Sequence, residues 1–259
     1  YGTLLSNTQL NAEARETTTA LSANCVYDPA LGAKLSVGPH TLSVTCTPTN
    51  TSLYSAVSGT VTITVTPKPI TVRADSKTKQ YGDSDPSLTS QIISGSLESG
   101  DSLSGSLSRN SGENVGLYSI TQGTLGNSDY NITFIGDTLT VTAIQLTVVI
   151  TAPDKQYDRD TDTELTIGTL SGVISADSGL VTIDATKITG SFSTATSANG
   201  KTVTLAIASG VLTGSKSGNY TLATPSNPTA SITKAPATVT AANKTVTAGD
   251  TLTSISYSV

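Results

Sequence analysis

Ile70-Thr-Val-Arg-Ala-Asp-Ser-Lys-Thr-Lys-Gln-Tyr-Gly-Asp83 decides the fold, because the chain writes it three times. The second copy is Leu146-Thr-Val-Val-Ile-Thr-Ala-Pro-Asp-Lys-Gln-Tyr-Asp158, and the third is Ala237-Thr-Val-Thr-Ala-Ala-Asn-Lys-Thr-Val-Thr-Ala-Gly-Asp250. Ile70 and Leu146 stand 76 positions apart, Leu146 and Ala237 stand 91 apart. That period is too long for a solenoid coil and suits a small all-β domain. The expected fold is therefore all-β, with tandem immunoglobulin-like or β-sandwich domains in an elongated array.

Patterning outside the repeat agrees. Apolar residues alternate with Thr or Ser in Gly59-Thr-Val-Thr-Ile-Thr-Val-Thr66, Thr138-Leu-Thr-Val-Thr142, Lys201-Thr-Val-Thr-Leu-Ala-Ile207 and Ala230-Ser-Ile-Thr233. Period two with one polar face predicts strands that cover a core on one side and meet water on the other. No stretch shows convincing helical periodicity. Thr66-Pro-Lys-Pro69 and Lys234-Ala-Pro236 follow such strands, and proline cannot continue a ladder, so both read as domain joints. Ala143-Ile-Gln145 is a third joint without proline. Joints this short predict domains stacked with little slack, unlike a Gly/Ser tether.

Composition narrows the function classes. The 259 residues include 47 Thr and 35 Ser but 2 Phe and no Trp or Met, so cores must come from Val, Leu, Ile and Ala with a few Tyr. The paucity of oxidation-prone side chains suits an extracellular setting. A formal net charge of −5 with no basic patch argues against a nucleic-acid partner. No apolar run is long enough to span a membrane in this segment. The chain opens inside a repeat, so any leader or anchor is expected outside it.

Cys25 and Cys46 lie on two short alternating segments. If those strands pair antiparallel, the two residues face each other and form a disulfide. The closed loop would contribute about 3 kcal/mol in the chain-entropy model.

Residues 67–143 resemble the MBG domain of large bacterial surface proteins, through the stretch Ile70 to Pro86, Ser99-Gly-Asp-Ser-Leu-Ser-Gly-Ser-Leu-Ser-Arg109, Gly112-Glu-Asn-Val-Gly-Leu-Tyr118 and Asp129-Tyr-Asn-Ile-Thr-Phe134. Residues 144–234 resemble the related YDG domain, with Arg159 where that family carries glycine. Residues 1–66 resemble a bacterial immunoglobulin-like repeat that lacks its first strand. Residues 235–259 carry the first strand and start of a further repeat. The resemblance implies β-rich modules strung along adhesins and surface fibres, and it implies no catalytic residues.

The tail has a sharper interpretation. Tyr1-Gly-Thr3 aligns with Tyr81-Gly-Asp83, so Ala237, Val239 and Ala241 could act as a donor strand that completes the first domain of another copy, end to end. Ala248-Gly-Asp250 aligns with the same residues as Tyr1-Gly-Thr3 and would compete for that place, which favours a window cut from a longer array.

Three local motifs suggest chemistry. Gly100-Asp-Ser-Leu103 spells the nucleophile block of a lipase-like hydrolase family. A serine nucleophile needs a base, and the only histidine, His40, stands in another domain. A turn is the plainer interpretation. Asp158, Asp160 and Asp162 alternate as in calcium loops, although Thr163 and Thr169 stand where such a loop needs glycine and glutamate. Calcium is thus the one cofactor with any signal, against a solvated loop. Tyr81, Tyr118, Tyr130, Tyr157 and Tyr220 recur at matching places and are expected to plug cores.

Together these features predict a non-enzymatic stalk or fibre segment of a secreted or cell-surface bacterial adhesin or filament. Its expected partners are neighbouring domains or further copies. The competing expectation is a module that itself binds a glycan or host protein, which would need a contiguous exposed aromatic or apolar patch.

Overall fold

The computed structural model describes residues 1–241, 245–249 and 257–258. Strands and connections make up the described residues, with three single-turn 3-10 segments and no α-helix among them. Among the described residues no helix is long and apolar enough to cross a membrane. The chain divides into two compact units, Tyr1–Thr142 and Ala143–Val259.

After a short hairpin of Arg15–Glu16 and Thr19–Ala20, the first unit forms a three-stranded antiparallel sheet of β1 (Ala23–Asp28), β2 (Gly38–Pro48) and β3 (Val57–Val65), in that order. The register sets Cys25 opposite Cys46, and the two sulfurs are bonded across the Cα pair at 4.0 Å. The inner face carries Leu42, which packs with Leu5 and Leu10 beneath Tyr27 and Ile63. The outer face presents Thr and Ser to water, as alternation predicts.

Two further sheets follow in the same unit. β4 (Lys68–Ala74) lies between β6 (Ser90–Ser94), antiparallel, and β9 (Tyr130–Ile135), parallel. β5 (Lys77–Gln80) runs parallel beside β10 (Asp137–Thr142), which pairs antiparallel with β8 (Gly116–Thr121), itself edged by β7 (Ser108–Arg109). The leading stretch of the repeat is therefore two strands in two sheets, where sequence alone suggested one. The first strand ends at Asp75, whose N–H still donates to Thr89 O at 2.8 Å and whose carboxylate accepts from Thr89 Oγ1 at 2.6 Å and Gln91 Nε2 at 2.9 Å. Ile70, Val72 and Ala74, on alternate positions of β4, are 1–2% exposed, as are Ile120 and Val141, while Leu139 is fully enclosed. Burial of these side chains is the main stabilising term of this part, each contributing about 1.5–3 kcal/mol for a large aliphatic group.

The second unit repeats this scheme in shorter pieces. β11 (Ile144–Leu146) pairs parallel with β18 (Tyr220–Leu222), and β12 (Ile150–Thr151) pairs antiparallel with β15 (Thr166–Ile167). A five-stranded sheet runs β13 (Lys155–Gln156), β19 (Thr229–Thr233), β17 (Ala198–Ile207), β16 (Ile188–Phe192), β14 (Asp162–Thr163). Pro153 lacks an N–H and separates β12 from β13, so the leading stretch is again divided. Val148, Ile150, Ile188 and Val211 form one core cluster; Phe192, Val203, Ala230 and Ile232 form another. Beyond it, Thr240–Ala241 pairs antiparallel with Tyr257–Ser258.

One backbone bond recurs three times. The nitrogen of Tyr1 donates to Thr66 O at 2.7 Å, that of Tyr81 to Thr142 O at 2.8 Å, and that of Tyr157 to Thr233 O at 2.8 Å. Each tyrosine is thereby tied to the end of the strand Val57–Val65, Asp137–Thr142 or Thr229–Thr233.

Candidate functional site

Three polar assemblies stand out on this frame. The first joins residues 1–66 to the rest of the first unit. Gly100, at φ +88°, lets the backbone double back so that Asp101 N bonds Glu98 O at 3.0 Å and the Asp101 side chain points inward. Its Oδ2 accepts from Tyr130 Oη at 2.5 Å and from Tyr1 Oη at 3.0 Å. Tyr130 Oη in turn accepts from Glu98 N at 2.7 Å. The Tyr1 ring stands edge-on to Tyr130, centroids 5.6 Å apart and planes at 75°. Lys34 Nζ lies 4.5 Å over the Tyr1 ring and 3.8 Å from Asp101 Oδ1. Behind them Lys68 Nζ pairs with Glu98 Oε1 at 2.5 Å. The Tyr130 hydroxyl, with Tyr1 and Lys34 assisting, holds the Asp101 carboxyl below the usual carboxylate range. Gly2, at φ +91°, takes a backbone conformation that side-chain-bearing residues rarely adopt, and a Cβ there would push the Glu98 carboxylate aside.

The second assembly surrounds Lys79 on β5. Its ammonium reaches Asp85 Oδ1 at 2.8 Å, Glu113 Oε2 at 2.5 Å and Asp83 O at 3.1 Å. Arg109 closes the ring, with Nε on Asp85 Oδ2 at 2.6 Å, Nη2 on Asp85 Oδ1 at 3.0 Å and Nη2 on Glu113 Oε1 at 2.5 Å. The fork of Arg109, then Lys79, draws the Asp85 carboxyl down to about 2. Asp85 and Glu113 push the Lys79 ammonium up. Amide formation between this amine and a neighbouring carboxyl would need the opposite, a neutral amine and a protonated acid. The cluster is an ion-pair network.

The third assembly is the loop after β13. Lys155 occupies the place of Lys79 in the repeat, and its ammonium takes Asp162 O at 2.7 Å, Asp160 O at 3.2 Å and Asp158 Oδ2 at 3.0 Å. Asp158 Oδ1 accepts from Asp160 N, and Asp160 Oδ1 accepts from Asp162 N. The calcium candidates Asp158, Asp160 and Asp162 therefore line the loop without converging, and a lysine ammonium sits among its oxygens. Among the described residues no three His, Cys, Asp or Glu side chains gather as a metal site.

The other sequence candidates are placed as follows. Ser102 belongs to the turn that presents Asp101, and its carbonyl accepts from Asn127 Nδ2 at 2.9 Å. His40 Nε2 lies 2.7 Å from Ser36 O, on its own module. Val239, one of the donor-strand candidates, is 64% exposed; Ala237 is exposed, and the Ala241 side chain lies outside the described residues. Of the five recurrent tyrosines, Tyr81, Tyr130 and Tyr220 are buried, Tyr118 is half-buried and Tyr157 is exposed. Sequence reasoning missed Asp85, Arg109 and Glu113 as partners of Lys79, and Asp101 as a junction residue. The available signals were the lysine two places before Tyr81 and Tyr157, and an acid that recurs as Asp101 and Asp177. In the second unit Tyr220 Oη donates to Asp177 Oδ2 at 2.7 Å, matching Tyr130 and Asp101.

Comparison with known families matches residues 70–140 to the MBG domain (YGX type) and residues 141–230 to the YDG domain. No curated protein and no solved structure matches the chain significantly. Arg159, which stands where the YDG resemblance has glycine, adopts φ 75°, the left-handed region that glycine enters without strain.

Proposed function

From the premise that this chain carries an MBG domain followed directly by a YDG domain, we propose that it is a structural spacer. It would be a stalk or fibre segment of an extracellular bacterial surface protein, without catalytic activity. The observation that carries this is the absence of slack between strands at the joints. Two residues separate Val65 of β3 from Lys68 of β4, and Ala143 alone separates β10 from β11. Modules connected so closely transmit position and tension along the chain. The Thr-rich wet faces resist unspecific adhesion, and the Cys25–Cys46 bond staples the first sheet. Binding of a glycan through stacked rings has little support: Tyr157 is the sole exposed aromatic among the described side chains.

Single-molecule stretching of the chain tests the proposal. A spacer unfolds in discrete steps of on the order of 25 nm, as expected for 65–90 residues at ~3.4 Å each. Reduction should lengthen one step by on the order of 7 nm, the contribution of the 21-residue separation between the cysteines. Extension without resolved force peaks would refute the spacer role.

A further inference from the structure

We propose that Asp101 is a clasp that locks residues 1–66 onto the MBG domain, and that without it the Thr66–Pro67 connection becomes a hinge between two intact modules. The inference concerns contacts inside the unit Tyr1–Thr142 and holds whether or not the chain serves as a spacer.

The geometry separates what Asp101 does for its own module from what it does across the joint. Within the MBG domain it accepts the Tyr130 hydroxyl, as Asp177 accepts Tyr220 in the YDG domain. That pair belongs to the module. Across the joint the same carboxylate accepts the Tyr1 hydroxyl and faces the Lys34 ammonium, both from residues 1–66. Lys34 comes from a stretch fixed by its bridge to Leu4, so Tyr1 and Lys34 are presented together. The Tyr1 ring is half-buried against the cluster of Ile70, Val72 and Tyr130, which makes it part of the neighbour's core edge. Among the described residues the remaining polar bond across this joint is Val37 N to Asp129 Oδ1, long at 3.4 Å. A carboxylate that accepts two hydroxyls makes charge-assisted bonds, stronger than that amide contact, and the ammonium 3.8 Å away adds an ion pair. Asp101 is thus where the polar grip of the joint concentrates. This also gives the Gly100-Asp-Ser-Leu103 motif a role: it is the turn that aims the clasp.

The test compares Asp101→Ala, Asp101→Asn and Tyr1→Ala in the full chain, by solution scattering and by thermolysin cleavage near residues 64–70. Calorimetry runs alongside to follow the folding of each module. All three variants should retain their unfolding transitions, broaden the distribution of interatomic distances, and be cut at the joint about tenfold faster or more. That factor corresponds to the loss of one charge-assisted hydrogen bond. Asp101→Ala could instead unfold the MBG domain by stranding Tyr130. Tyr1→Ala then decides, because it leaves the Asp101–Tyr130 pair in place. Unchanged scattering and cleavage in Tyr1→Ala, or in a folded Asp101→Ala, would overturn the proposal and assign the joint to backbone continuity.

Discussion

Lys79 and Lys155 occupy the same position of the same repeat, two residues before a tyrosine tied to the module's closing strand, yet their surroundings differ. The Lys79 side chain is 4% exposed and holds two carboxylates, which Arg109 bridges from the other side. Lys155 is 16% exposed and faces two backbone carbonyls and one carboxylate that is itself mostly in water. The repeat delivers an ammonium to a fixed place on a parallel edge strand. What it does there depends on whether a distant acid joins the local ones: Lys79 holds Glu113, 34 residues away, besides the nearby Asp85, whereas the partners of Lys155 all lie within 7. The first lysine ties strands of one sheet together. The second organises its own loop.

Removing each lysine should therefore give unequal results. Lys79→Ala leaves Asp85 and Glu113 facing each other across Arg109 alone and removes a buried aliphatic stem. Loss of a partner from a fully buried ion pair costs about 3–5 kcal/mol, but Asp85 and Glu113 are 40% and 65% exposed, so water screens part of the loss. The expected destabilisation is about 2 kcal/mol in the MBG transition, read by calorimetry of the full chain. A change below about 0.5 kcal/mol would make the network ornamental.

Acid should reveal the same asymmetry. Asp85 has a folded pKa of about 2, below the value of 3.8 expected of a free aspartate. A depressed carboxyl stabilises the fold fully above its unfolded value and loses that contribution as pH falls through its folded value. The MBG transition should thus weaken between about pH 4 and pH 2, and Asp85→Asn should flatten that dependence. Asp158 is also lowered, by the Asp160 amide and then Lys155, so its contribution fades in the same direction. A YDG transition that responds to acid more steeply than the MBG one would reverse the comparison.

Much of this contrast lay beyond the reach of the sequence. Strands were legible, because Thr–Val–Thr alternation has one physical outcome, and so was the Cys25–Cys46 pairing, which needed only two adjacent antiparallel strands. Parallel pairing of β4 with β9 and of β5 with β10 was not, since period two says nothing of direction. The side-chain bonds of Asp75 depended on Thr89 and Gln91, and the Lys79 ring on two segments, one with Asp85 and one with Arg109 and Glu113, whose approach is a property of the assembled domain. Recurrence of lysine before tyrosine was visible, but recurrence does not report burial. Asp101 was visible too, in a motif whose resemblance to a hydrolase drew attention to the neighbouring serine.

Smaller effects sharpen the YDG side. Lys155→Ala should cost less than about 1 kcal/mol, since the loop carbonyls can turn to water. Arg159→Gly should act in the opposite sense. Arg159 holds a left-handed φ of 75°, where a side chain is strained, and glycine relieves that strain while adding freedom to the unfolded chain. The net expected gain is about 0.5 kcal/mol, seen as a small rise in the YDG transition. A drop would mean that the arginine side chain secures the loop by contacts that outweigh its backbone strain.

Calcium should produce the smallest effect. The oxygens of Asp158, Asp160 and Asp162 that a divalent ion would need are arranged around the Lys155 ammonium, so calcium has to expel a like charge before it binds. Three carboxylates that do not converge also fall short of the six to eight oxygens calcium takes. Titration of the full chain with millimolar calcium is expected to release no heat and leave both transitions in place. Lys155→Met separates the two obstacles. If that variant binds calcium while the parent chain does not, the ammonium was the obstacle and the loop is a cation site already filled from within; if neither binds, the divergence of the carboxylates is enough.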